Sequence, residues 1–154
     1  MSLADQLADV RACVLHAASR DAVLQAAAGW LACEQAGADA LHASLQAREQ
    51  LGSTAIGHGI AIPHGRSAAL EAARGVLLRL EPAVDFDAAD GEAVDLVFAM
   101  AVPDHYTHQH LMVLSELAER FSRPEFRDAL RNAADASAMR NLLLDDTHLP
   151  KIAA

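Results

Sequence analysis

The sequence predicts a single α/β domain, and three observations carry that expectation. Apolar residues recur at helical spacing in long segments at 19–36, 39–51 and 107–121. Short apolar runs of strand length, bounded by glycine and proline, lie between the second and the third. No repeat, linker or low-complexity tract divides the 154 residues, and 53% of them are hydrophobic, enough for one buried core. The expected domain is the whole chain, 1–154, with its core at about 5–145 and a short C-terminal tail.

In chain order, residues 1–18 hold one strand-like piece, Cys13-Val14-Leu15. A helix follows at 19–36: Ser19 or Asp21 can cap it, Val23, Leu24, Ala27, Ala28 and Leu31 form its apolar stripe, and Gly37 stops it. Trp30, beside that stripe, is expected in the core. The second helix, 39–51, aligns Leu41, Leu45 and Arg48 and ends at Gly52. Residues 53–66 then hold three of the eight glycines and alternate small with β-branched side chains. That texture predicts a strand, a tight turn at Gly57-His58-Gly59 and a second short strand ending at Pro63. The runs 74–80 and 94–102 read as strands separated by an acidic turn segment, 81–92. From Thr107 the period is helical again, with His110, Leu111, Leu114, Leu117, Ala118 and Phe121 on one stripe until Pro124 breaks it. Two shorter helices, 125–132 and 137–144, complete the domain.

Charge and residue usage exclude several functions. Twelve basic against 21 acidic residues leave a net charge of −9, the wrong sign for a chain that neutralises phosphates along a nucleic acid. Eleven of the twelve basic residues are arginine and the one lysine is Lys151, so no interior lysine can serve a P-loop or a Schiff base. Cys13 and Cys33 stand among Ala, Val and Leu with no C-x-x-C spacing and are expected as buried, reduced thiols. No window is long and apolar enough for a membrane span and no targeting segment opens the chain, so the expected location is the cytoplasm.

Two segments carry chemistry. In Ile62-Pro63-His64-Gly65-Arg66, proline fixes the chain direction and glycine lets another backbone approach, which presents the His64 imidazole at a rigid strand end. That geometry suits a nucleophile, and the pentapeptide alone leaves an exposed loop histidine as an equal alternative. In His105-Tyr106-Thr107-His108-Gln109-His110, Thr107 can cap a helix whose free amides and positive dipole end would hold a phosphoryl group. His110 occupies the apolar stripe, so it is the histidine expected to face inward. Three histidines in six residues raise the question of zinc, but helical ligands need spacings of three or four, which His105 and His108 offer only if the helix begins before Thr107, and the cysteines are distant, so no metal is expected. Arg48 ends the second helix just before the glycine-rich segment; it reads either as a clamp on an anion or as a solvated helix-end charge.

Arg48-Glu49, the run from Gly52 to Arg66, Val102-Pro103-Asp104 and the helix bearing His110-Leu111 and Leu114-Ser115 together resemble the IIA domains of the phosphoenolpyruvate:sugar phosphotransferase system, of the fructose/mannitol type. Within that family the chain is most similar to the nitrogen-regulatory (PtsN) branch, over roughly residues 5–145. The resemblance implies a mixed, about five-stranded sheet with helices on both faces. It implies that His64 accepts a phosphoryl group from an HPr- or NPr-type phosphocarrier protein, with His110 and Arg48 stabilising that group. No cofactor or metal is implied. Expected partners are the phosphocarrier and either regulatory target proteins or, for a sugar-transporting relative, a IIB domain. Position 58 departs from the family, which often has asparagine there; His58 is expected to be a polar turn residue.

Overall fold

A computed structural model describes residues 6–7, 9–105 and 107–145, with only the backbone described at Thr107, Gln109 and His110. Strand β1 (Asp9–Leu15) leads to helices α1 (Arg20–Leu31) and α2 (Ala38–Leu51). Three short strands follow, β2 (Ala55–Gly57), β3 (Ile60–Ala61) and β4 (His64–Ser67), then the long β5 (Arg74–Val84) and β6 (Val94–Pro103). Helices α3 (Thr107–Phe121), α4 (Pro124–Arg131) and α5 (Ala136–Leu144) complete the described chain.

The sheet has six strands in the order β1-β5-β6-β3-β2, with β4 also paired to β6. β1 runs parallel to β5, and β3 and β4 parallel to β6, while β5–β6 and β2–β3 are antiparallel. The sheet is therefore mixed, as expected. Alternation along the two central strands assigns the faces. Val76, Leu78, Val97 and Ala99 pack with Leu24, Leu31, Leu41 and Leu45 of α1 and α2. Leu77, Phe98, Met100 and Val102 pack with Leu117, Phe121, Leu130 and Leu143 of the three C-terminal helices. Central strands covered on both sides must be apolar at nearly every position, and β6 is.

Several expectations need correction. Cys13 and Cys33 are half-buried rather than buried. The first helix ends at Leu31 rather than at 36, because the Arg74 guanidinium takes the Leu31 carbonyl at 2.9 Å and residues 33–36 close a turn of their own. Trp30 is 37% exposed: the buried stripe of α1 runs from Val23 to Leu31 and leaves position 30 just beyond its margin. The segment 81–92 is not all turn, since β5 continues to Val84 and Phe86 is fully buried. Helix α3 starts at Thr107, so Thr107 belongs to the helix rather than to its cap; its side chain, Tyr106 and the tail beyond 145 lie outside the described residues.

Candidate functional site

The sequence Ala61-Ile62-Pro63-His64 interrupts a strand at one position. β3 pairs with Leu96 and Val97, β4 pairs with Met100 to Pro103, and both lie along the same edge of β6. Between them Pro63, which has no N–H to donate, offers its carbonyl to the Met100 amide at 2.9 Å. The chain thus kinks without losing its place beside β6, and His64 opens the new strand. In parallel register His64 lies beside Met100 and Arg66 beside Val102, on the α3 face, while Gly65 lies beside Ala101 and faces α2. A Cβ at Gly65 would stand 2.9 Å from Ser44 Oγ and 3.2 Å from the Leu45 amide, so only glycine lets α2 come this close. The Arg66 amide donates to Ser44 Oγ at 2.8 Å and fixes the joint.

His64 is half-buried, and its Nδ1 lies 3.1 Å from the Ile62 carbonyl. A carbonyl only accepts, so Nδ1 carries the proton and the ring lone pair belongs to Nε2. Burial pushes the imidazole below its ordinary value of 6.5; the Ile62 carbonyl opposes this, Arg48 lowers it further, Glu49 raises it and Arg66 lowers it. The result is an imidazole kept neutral, with its nucleophilic nitrogen defined.

Two depressions meet at this ring. One, of about 490 Å³, is lined by Ser44, Arg48, Leu51, His64 and Arg66. The other, of about 250 Å³, brings Arg48, Thr54, Ile56 and His64 together with Leu114 and Ala118 of α3. Arg48 borders both. Its Nη1 donates to the Gly52 carbonyl at 2.8 Å, so it closes the end of α2 while the residue lines both depressions. The His110 side chain is outside the described residues, but its backbone lies in α3 one turn before Leu114, which lines the second depression. His105 and His108 are exposed. Among the described residues, no group of three or more metal-ligating side chains comes together.

Residues 8–146 match the model of the family described as phosphoenolpyruvate-dependent sugar phosphotransferase system, EIIA 2. The chain belongs to that family. It is 41% identical over 129 residues to a nitrogen regulatory protein of Pseudomonas aeruginosa, covering 82% of this chain and 84% of that one. A nitrogen regulatory protein of Escherichia coli K12 is also 41% identical, over 67% of this chain and 64% of its own length. The crystal structure of the nitrogen regulatory protein IIA-Ntr from Neisseria meningitidis superposes with a TM-score of 0.82 at 37% identity, covering 87% of this chain and 92% of that one. Within the EIIA family the chain therefore sides with the nitrogen-regulatory members.

Two further residues of this EIIA domain bear on the site. Glu49 is 5% exposed; its carboxylate accepts from the Thr54 amide at 3.1 Å and from the Thr54 hydroxyl, with Arg20 Nη1 at 3.7 Å. Thr54 in turn accepts from the Ile62 amide at 3.0 Å, so the buried carboxylate braces the strand that holds His64. A glutamate at a helix end reads as a solvated charge in sequence, and only the long-range partners reveal the brace. Arg66 is the second, and its signal was available: two residues after His64 on a strand, it must share the histidine's face. His58, by contrast, is an exposed turn residue, with φ of 59° followed by Gly59 at 80°. Its amide donates to Asp90 Oδ2 at 3.1 Å and its carbonyl accepts from Arg131 Nη2.

Proposed function

We propose that this chain is a nitrogen-regulatory IIA-type phosphoprotein of the cytoplasm. It accepts a phosphoryl group on Nε2 of His64 from an HPr- or NPr-type phosphohistidine protein and signals to target proteins through its phosphorylation state. The observation that carries this reading is the hydrogen bond from His64 Nδ1 to the Ile62 carbonyl at the mouth of two depressions bordered by Arg48. It fixes the tautomer and aims the ring, and it assigns the lone pair to Nε2. In the transfer, Nε2 attacks phosphorus, the P–N bond to the donor histidine breaks, and the electron pair of that bond returns to the donor ring. The transition state is loose and in line, so the acceptor must mainly be positioned and the spread negative charge neutralised. Arg48 and His110 are the groups assigned to that neutralisation, and no metal or nucleotide enters the step.

The test is incubation with a phosphorylated HPr-type phosphocarrier. Wild type is expected to take up one phosphoryl group and His64→Ala none. Uptake that survives the substitution would refute the assignment. Rapid onward transfer to a IIB domain would show a sugar-transport component rather than a regulator.

A further inference from the structure

The eleven arginines are nearly all engaged. Eight donate to main-chain carbonyls, Arg48 and Arg131 among them. Arg11 and Arg123 pair with Asp9 and Glu119. The exception is Arg66, whose exposed guanidinium has no hydrogen bond or ion pair among the described residues, although its own amide is held by Ser44. A guanidinium with neither a carbonyl nor a carboxylate partner among the described residues is the unusual outcome in a chain of net charge −9, and its position is specific. Arg66 lies on the same face of β4 as His64, about 7 Å further along the strand. It lines the same 490 Å³ depression as His64 and Arg48. The two guanidiniums approach from different elements, α2 and β4, and the tight Gly65–Ser44 joint locks those elements together.

We infer that Arg66 is a second phosphoryl-binding residue, which closes on the phosphorylated His64 from β4 as Arg48 does from α2. This rests on the acceptor reading above. A phosphoryl group near neutral pH carries a charge approaching −2, which one guanidinium cannot balance in a half-buried site. Arg66 supplies the second positive charge, and because no described residue holds it, the group is free to reorient when the phosphoryl group arrives.

Phosphoramidate, a small donor that needs no protein docking, separates this role from contact with a partner protein. Wild type, Arg66→Gln and Arg66→Lys are phosphorylated with it, His64→Ala serves as the control, and the phosphoryl group is titrated by 31P NMR. Loss of a neighbouring positive charge destabilises the dianion, so Arg66→Gln should raise the phosphoryl ionisation midpoint by about half a unit or more, and Arg66→Lys should restore it. Transfer from a phosphorylated HPr-type protein should fall about tenfold in Arg66→Gln. A titration of Arg66→Gln that overlays wild type overturns the inference, even if transfer from the protein donor slows, since Arg66 would then touch the partner. If wild type forms no phosphohistidine that His64→Ala removes, the acceptor assignment itself fails, and the inference with it.

Discussion

At the level of single residues, the site rests on what surrounds one imidazole. The lowered pKa of His64 has burial as its main cause and the Arg48 charge as a further one. Lowering favours the neutral ring, so the nucleophilic form persists to more acid pH than for a free histidine. The rate of phosphoryl acceptance is therefore expected to stay above half its plateau at pH 6.5 and to reach half only at a lower pH. Arg48→Gln removes a positive neighbour and should move that fall to higher pH. A wild-type rate already halved at or above pH 6.5, measured by rapid-quench transfer, would contradict the burial argument. His64 was legible because Pro63 and Gly65 flank it, residues whose backbone restrictions are written in their names. Glu49 was not: its 5% exposure depends on Thr54 and Arg20 folding over it, which no local pattern encodes.

At the level of elements, the β2–β3 hairpin shows how local chemistry and long-range contacts combine. Two successive residues at positive φ make the two-residue turn whose twist suits a hairpin. Gly59 meets this at no cost, whereas His58 is strained and asparagine would be less so. The turn is held from outside as well. Arg131 forms a two-pronged pair with Asp95, at 2.8 and 2.9 Å, and also binds the His58 carbonyl, while the Glu92 and His58 amides hold the Asp90 carboxyl below the usual carboxylate range. His58→Asn is expected to raise stability by up to about 1 kcal/mol in chemical denaturation, with phosphoryl acceptance unchanged. Loss of acceptance in that variant would make His58 part of the site. The same contrast explains which boundaries sequence could give. Gly52 and Pro124 end and begin helices by their own backbone chemistry, and both lie where expected. The end of α1 is set by Arg74, 43 residues away, and was misplaced for that reason.

For the whole molecule, the excess of arginine over lysine acquires a structural meaning. Arg79 reaches the Leu130 and Ala133 carbonyls at 3.0 and 2.8 Å, Arg127 that of Phe121 at 2.9 Å, and Arg140 that of Val10 at 2.7 Å. A planar, permanently charged group with several donors suits such half-buried carbonyls better than an ammonium does. The α/β class was legible from periodicity, whereas the helices on both faces were implied by the family resemblance. The strand order was not, because the pairing of β4 with β6 joins residues more than thirty apart through backbone bonds that side chains do not specify. The acidic surplus has the wrong sign for neutralising a nucleic-acid backbone, yet the site itself is an arginine-bordered depression around His64. The central claim is that this depression prepares Nε2 of His64 to accept a phosphoryl group. Its most direct test is 15N and 31P NMR of the chain after transfer from a phosphorylated HPr-type protein. The expected result is a single phosphohistidine at His64, bonded through Nε2, with Nδ1 still protonated. A phosphoryl group on Nδ1 of His64, or on any other residue, would contradict it.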